Sequence, residues 1–254
     1  MVEPAGQTIE CSGVSKAFGG VLANQDITLG VQEGKITGLI GPNGSGKTTL
    51  FNLITGIPYH ADAGEVRYRD EVISQLSPHK IYESGIARTF QKETAFDTLT
   101  VQENVRIGAV FGTNLAVEDC GSAVEQALDN LELSEDRHRL AGELSLYGKK
   151  RLMIASAIVS NPKLLMLDEP AGGLNLTELD ELESLIKRLS DGDMTIIIIE
   201  HVLPLLFGVS NRVLVMDFGK RLAEDSPEAL ARNDAVIEAY LGERGKEAFH
   251  AISG

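Results

Sequence analysis

Residues 41–49 read Gly-Pro-Asn-Gly-Ser-Gly-Lys-Thr-Thr, a glycine-rich turn that ends in a lysine and two hydroxyl side chains. No other stretch constrains the fold as much, because such a loop works only between a strand and a helix. Both flanks meet that demand. Ile36 to Ile40 is a short run ending at the first glycine, and the spacing predicts a helix from Lys47 to about Thr55. The glycines let backbone N–H groups turn inward around phosphate oxygens, and the helix N-terminus adds partial positive charge. Gly41, Asn43, Gly44, Ser45, Gly46, Lys47, Thr48 and Thr49 are therefore the candidate phosphate-binding set. Lys47 is expected to neutralise the β and γ phosphates of a bound nucleotide, and Thr48 to ligate Mg2+.

The same loop serves GTPases, kinases and many ATPases, so the rest of the chain has to discriminate among them. Leu164-Leu-Met-Leu167 runs straight into Asp168-Glu169-Pro170. An unpunctuated aliphatic strand suits a parallel sheet covered on both faces, and this one delivers two carboxylates to the edge where ligands of such sheets bind. Asp168 is expected to hold Mg2+ through water, and Glu169 to orient and partly deprotonate the attacking water. The Asn-Lys-x-Asp segment with which GTPases read their base is absent.

Around these motifs the pattern is that of an α/β protein. Ile27, Leu29 and Val31 alternate with polar or small residues, as do Val66 and Tyr68 with Arg67 and Arg69, so the first 90 residues read mostly as sheet, with a further strand at Ile86 to Phe90. Thr100-Val-Gln-Glu103 is a capping box, and Val124, Leu128 and Leu131 recur at helical spacing. Residues 92–160 are accordingly expected to be largely helical. Strands return at Leu164 to Leu167, Thr195 to Ile199 and Arg212 to Met216, with an amphipathic helix marked by Leu179, Leu182, Leu185, Ile186 and Leu189. Glu228 to Leu230 and Val236 to Leu241 read as two short helices before a frayed tail.

Charge limits the partners. Asp and Glu number 37 against 23 Lys and Arg, a net charge of −14, which argues against binding nucleic acid or an anionic bilayer through a general basic surface. The longest purely aliphatic run, Ile196 to Ile199, is far short of the roughly 20 residues that span a bilayer, and residues 1–10 lack the basic and apolar stretches of a signal peptide. The chain is expected to be cytoplasmic and to reach a membrane only through another protein. Cys11 and Cys120 belong to no metal-type cluster and read as buried small hydrophobes.

The loop at 41–49, Thr89-Phe90-Gln91, Leu144-Ser145, residues 164–170, Gly173-Leu174-Asn175 and Ile199-Glu200-His201 stand in the order and approximate spacing of an ABC-transporter ATP-binding subunit. The chain resembles that family over nearly all of its 254 residues. Phe18-Gly19-Gly20, residues 85–91, residues 171–175 and Val236 to Gly242 look most like the ATPase subunits of branched-chain amino acid uptake systems, or their amide and urea relatives. The resemblance implies one ABC ATPase domain over 1–254: a P-loop NTPase core with a mostly parallel sheet and an antiparallel β subdomain (1–91 and 161–225), a helical signature subdomain (92–160), and C-terminal helices and tail (226–254). It further implies that Phe18 stacks on adenine, that Gln91 senses Mg2+ and links the site to a membrane subunit, and that His201 contacts the γ-phosphate. Each role suits its side chain: a phenyl face stacks on a base, an amide ligates a metal or water reversibly, and an imidazole donates to phosphate. Catalysis then falls to Lys47, Glu169 and His201, and metal binding to Thr48, Gln91 and Asp168. The implied partners are a second ATPase subunit, identical or different, the permeases of an importer for branched-chain amino acids or related small solutes, and indirectly a solute-binding protein. The alternatives are a soluble, non-transport ABC ATPase and a nucleotide-binding subunit that hydrolyses poorly.

One segment departs from the family. Aligned without gaps, the usual Leu-Ser-Gly-Gly-Gln becomes Leu144-Ser145-Leu146-Tyr147-Gly148. In the family this segment presents a serine hydroxyl and the N–H groups of a helix N-terminus to the ATP held by the opposite subunit, so Ser145 and Gly148 are the expected contacts. A second alignment inserts Leu146 and takes Ser145, Tyr147, Gly148 and Lys149 as the functional set. Bulk at 146 and 147 is expected to weaken the contact, with Lys149, Lys150 and Arg151 compensating electrostatically.

Overall fold

A computed structural model of the chain describes residues 7–92, 94–112 and 119–233, together with Val236. Strands β1 (Gln7–Phe18), β2 (Val21–Gln32), β4 (Ala63–Tyr68) and β5 (Glu71–Val72) form an antiparallel sheet in the order β2-β1-β4-β5. Their apolar residues alternate as one buried face requires: Ile9 and Cys11 on β1, then Ile27, Leu29 and Val31 on β2. That face packs on helix α1 (Lys47–Thr55), whose Leu50, Phe51, Leu53 and Ile54 are fully buried. Each such side chain contributes about 1.5–3 kcal/mol relative to exposure.

A second sheet has the order β10-β9-β3-β8-β7-β6, built from β3 (Ile36–Ile40), β6 (Ile86–Arg88), β7 (Leu164–Asp168), β8 (Thr195–Ile199), β9 (Arg212–Asp217) and β10 (Lys220–Asp225). Only the β9–β10 pairing is antiparallel. Every residue of β3, β7 and β8 is buried, because each of these strands faces two cores. Leu164 and Met166 of β7 join the core around α1, whereas Leu165 and Leu167 join the core built by α5 (Leu146–Ile158) and α6 (Leu176–Asp191). The parallel sheet expected from unpunctuated aliphatic runs is thus present, with its strand ends converging on one edge.

Between β6 and β7 lie α3 (Val101–Gly112), α4 (Gly121–Asn130), a 3-10 turn at Ala141–Glu143, and α5. The box read at Thr100 holds: the Glu103 N–H donates to Thr100 Oγ1 at 3.2 Å, and the Thr100 N–H donates to Glu103 Oε2 at 2.7 Å. Besides the two-residue strand β5, three elements escaped the sequence reading. Helix α2 (Pro78–Glu83) buries only Ile81, α7 (Leu203–Val209) is a short, mostly apolar helix with no amphipathic period, and β10 is an edge strand with no buried residue. The strand expected to reach Phe90 ends at Arg88. Helix α8 (Pro227–Leu230) matches the first C-terminal expectation, and Ser226 caps it. The helix read at Val236 to Leu241 lies, but for Val236, outside the described residues. Among the described residues no helix is long and apolar enough to cross a membrane.

Candidate functional site

The loop joining β3 to α1 is wedged between two backbones. A Cβ on Gly41 would stand 2.2 Å from the Met216 carbonyl oxygen of β9, and one on Gly46 would stand 2.2 Å from the Ala23 carbonyl oxygen of β2. Gly46 also adopts φ +99°, where side chains are strained. The Gly219 N–H donates to the Ser45 carbonyl at 3.1 Å and fastens the loop to the β9–β10 turn. Gly44, with φ +80°, has open space where a Cβ would be, so its backbone faces the cleft unobstructed. Lys47 is buried, and its Nζ donates to the carbonyls of Gly41 (2.8 Å) and Pro42 (3.1 Å). Burial holds this ammonium below the usual lysine pKa, against the opposing pull of Glu169 and Asp168.

The loop opens on a cleft of about 530 Å3 lined by Asn43, Gly44, Gly46, Lys47, Thr48, Thr49, Gln91, Glu169 and His201, with Ala23 at its rim. Most of the residues singled out in sequence therefore meet at one place, although they come from four separate loops. Glu169 leaves β7 with φ +50°, and its N–H donates to the Ile199 carbonyl at the end of β8. Its Oε2 accepts from Gln91 Nε2 at 2.5 Å, and its Oε1 is 3.0 Å from His201 Nε2. An ionised carboxylate only accepts, so His201 Nε2 carries the hydrogen. Gln91 and His201, expected at the metal and the γ-phosphate, here hold the two oxygens of the expected base.

Asp168 lies behind this rim, 3% exposed. Its Oδ2 accepts from Arg88 Nη2 at 2.8 Å, while its buried Oδ1 has no hydrogen-bond partner. Burial raises the carboxyl above its usual pKa, and the Arg88 hydrogen bond and charge oppose that rise. A buried carboxylate oxygen without a partner, and an exposed threonine hydroxyl in the cleft lining, are both hard oxygen donors of the kind a divalent cation takes, so the residues present fit Mg2+. The buried ammonium, the open Gly44 backbone and the start of α1 fit the phosphates of a nucleotide.

Two residues of the site were not assigned roles from sequence. Glu200, buried, accepts from the N–H groups of Ala171 (2.6 Å) and His201 (3.1 Å). It ties the loop after β7 to the loop after β8, which fixes Glu169 against His201. Burial pushes its carboxyl up, and those N–H groups oppose the shift. Arg88 is the other. Its signal was a charge closing an apolar strand, the same signal that gave Asp168.

Of the expected contacts, Gly41, Ser45 and Asp168 are buried behind the cleft lining, whereas Phe18, Ser145 and Gly148 stand apart from it. Phe18 is 42% exposed at the end of β1 and meets the Tyr59 ring edge-on at 4.8 Å between centroids. Ser145 caps α5 by accepting from the Gly148 N–H at 3.1 Å, so both belong to a helix N-terminus away from this chain's own phosphate loop. Tyr147, expected to crowd a phosphate, is only 7% exposed. The Arg151 guanidinium lies 4.8 Å from its ring centre, and its bulk faces this chain's interior. Leu146 is half-buried and reaches to within 2.8 Å of where a Cβ on Gly173 would stand.

Comparison with known proteins agrees with this geometry. Residues 24–172 match the family described as ABC transporter, and residues 220–246 match branched-chain amino acid ATP-binding cassette transporter. The high-affinity branched-chain amino acid transport ATP-binding protein BraF of Pseudomonas aeruginosa is 38% identical over 250 residues, 92% of this chain and 98% of the relative. The corresponding LivG of Escherichia coli K12 is likewise 38% identical over 92% of this chain and 98% of its own length. The solved ADP conformation of MJ1267, an ATP-binding cassette of an ABC transporter, superposes with a TM-score of 0.85 at 31% identity, covering 94% of this chain and all of that one. With a glycine loop on a buried lysine, a paired Asp168 and Glu169, and relatives matched nearly end to end, this chain belongs to the ABC transporter family as one of its ATP-binding cassettes.

Proposed function

We propose that this chain hydrolyses ATP, with Mg2+, to power an importer of branched-chain amino acids or closely related small solutes. One observation supports the chemistry above the rest: Glu169 is held by Gln91 and His201 at the mouth of the phosphate loop. The solute class rests on the 38% identity to BraF and LivG. Mg2+, held by Thr48 and Asp168, would neutralise charge on the phosphates. Lys47 and the N–H groups opening α1 hold the β and γ oxygens, and Glu169 takes the proton of the attacking water. His201 orients that carboxylate, and its imidazole comes within reach of the γ-phosphate once Glu169 turns to water. Phe18, beyond the cleft, offers its exposed face to adenine.

Free energy reaches a membrane partner only if ATP favours a closed pair of cassettes over an open one. In such a pair the N-terminus of α5, with Ser145 and Gly148, addresses the nucleotide of a second ATPase subunit. Residues 92–160 then act as the helical subdomain that carries both this segment and the permease contact. The proposed docking site is a groove of about 200 Å3 between α3, α5 and the segment after β6, lined by Tyr82, Phe90, Phe96, Asn104, Ile107 and Met153 among others. Phe96 is 54% exposed at its lip. With a net charge of −14, the chain reaches the inner face of the membrane through permeases rather than lipid.

Reconstitution with candidate permeases and binding protein in proteoliposomes tests the reading: labelled leucine should accumulate only with ATP. ATP-driven movement of other solutes with no leucine, isoleucine or valine uptake would overturn the solute class. Charging the groove by Phe96→Glu should abolish co-purification with permeases while leaving nucleotide binding intact, and the wild-type chain should not float with anionic liposomes. Flotation with empty liposomes would refute docking through protein alone.

A further inference from the structure

Arg88 closes β6 with its side chain 5% exposed. Its guanidinium joins two elements of the site at once. Nη2 donates to Asp168 Oδ2 on β7 at 2.8 Å, and Nη1 donates to Asn52 Oδ1 on α1 at 2.7 Å, with Thr55 Oγ1 a longer contact at 3.4 Å. Phe51 and Phe90 flank it, their ring centres 5.3 and 5.1 Å from the guanidinium carbon. Asn52 is fixed in turn, because its Nδ2 donates to the Tyr59 hydroxyl at 2.9 Å, and the Tyr59 ring meets Phe18. A continuous run of side-chain contacts therefore joins the exposed Phe18, outside the cleft, to the buried Asp168 carboxylate behind it.

A carboxylate closing a strand keeps two torsions free, and either oxygen can then face any direction its cavity allows. The fork removes that freedom at Asp168. It engages Oδ2, the rings confine the fork, and Oδ1 is left as the one oxygen without a partner. A lysine could supply the charge but not the rigid, two-limbed geometry that reaches both Asn52 and Asp168. We propose that Arg88 is the positioning residue of the metal site: it fixes which Asp168 oxygen is offered to Mg2+ and ties that orientation to α1, the helix that carries Lys47 and Thr48. The inference rests on reading Asp168 as the Mg2+ carboxylate.

The test titrates Mg2+ against ADP binding by the full chain, using a fluorescent ADP and no turnover. Arg88→Met should require about 10- to 100-fold more Mg2+ for the half-maximal effect, the usual range for losing a group that orients a metal ligand. ADP affinity without metal should be unchanged, and Arg88→Lys should recover only part of the loss. A wild-type Mg2+ requirement in folded Arg88→Met overturns the proposal and leaves an ordinary buried ion pair. Equal loss of metal-free ADP affinity also overturns it, since the arginine would then be acting on the phosphate loop. Should Arg88→Met fail to fold by circular dichroism, Asn52→Ala frees one limb of the fork while keeping the ion pair. A raised Mg2+ requirement there supports the proposal, and a wild-type one overturns it. If ADP binding by the wild-type chain itself ignores Mg2+, the reading of Asp168 fails first, and the inference falls with it.

Discussion

Replacing Glu169 with glutamine is expected to leave ATP binding intact and to slow hydrolysis by about 100- to 10,000-fold, the range that a positioned general base contributes. That corresponds to roughly 3 to 5 kcal/mol in the barrier. Shape and contacts survive the change: an amide oxygen still accepts from His201 Nε2 at Oε1, and Gln91 has only to flip its own amide to answer the new NH2 group. What disappears is the ability to accept a proton from water. Lys47→Ala separates the two functions in the opposite sense, because it removes the cation at the phosphates, and both nucleotide affinity and turnover should be lost. Fluorescent-nucleotide binding and phosphate release, measured on the assembled transporter, check the pair. Turnover at the wild-type rate in Glu169→Gln would take the base role away from this residue.

In a heterodimer of two different cassettes, the two sites are expected to turn over unequally. ATP on this chain's loop meets Lys47, Asp168, Glu169 and His201, whereas ATP on the partner meets this chain's Ser145-Leu146-Tyr147-Gly148. The structure narrows the cause. Tyr147 packs inward beneath Arg151 and leaves the approach open, and Ser145 caps an intact helix N-terminus. Half-buried Leu146 is left as the side chain standing where the family carries glycine. Losing a phosphate donor there should slow the partner's site by roughly 100- to 1,000-fold, about 2.7–4 kcal/mol by analogy with an oxyanion-hole donor, less whatever Lys149 restores. Inactivating each catalytic glutamate in turn decides it. Loss of nearly all turnover with Glu169→Gln is expected; if most activity survives and the partner's glutamate proves essential, the asymmetry runs the other way.

The strands that organise the site were legible because they break no pattern. β3, β7 and β8 are uninterrupted aliphatic runs buried on both faces, and such runs need no knowledge of their neighbours to be seen. β10 and α2 were invisible for the opposite reason: an edge strand with nothing buried and a six-residue helix with one buried residue leave no periodic trace. The phosphate loop was legible as chemistry, since its glycines and lysine are adjacent in the chain. Glu169 was read from the aliphatic strand that runs into it, and Gln91 and His201 from the resemblance, but their mutual hydrogen bonds depend on which strands lie side by side. Arg88 meets Asp168 only because β6 pairs with β7, a fact of strand order that no local pattern records. Glu200 was visible as a charge after an aliphatic strand, and only the juxtaposition of β7 and β8 gives it two loops to hold.

The strand order has a consequence for how the chain is born. β3 pairs with β8 and β9, residues 195–199 and 212–217, and with no strand made earlier. At a synthesis rate of about 5–20 residues per second, roughly 10 to 35 s separate the translation of Gly41 from that of Met216, whose carbonyl it abuts. Once residue 72 is made, the antiparallel sheet of β1, β2, β4 and β5 has all its members, while the phosphate loop still has neither flank of its strand and no turn at Gly219 to anchor Ser45. Nucleotide therefore cannot act as a template for the emerging polypeptide. Its stabilising influence begins only once β9 and the turn at Gly219 have emerged to flank the loop.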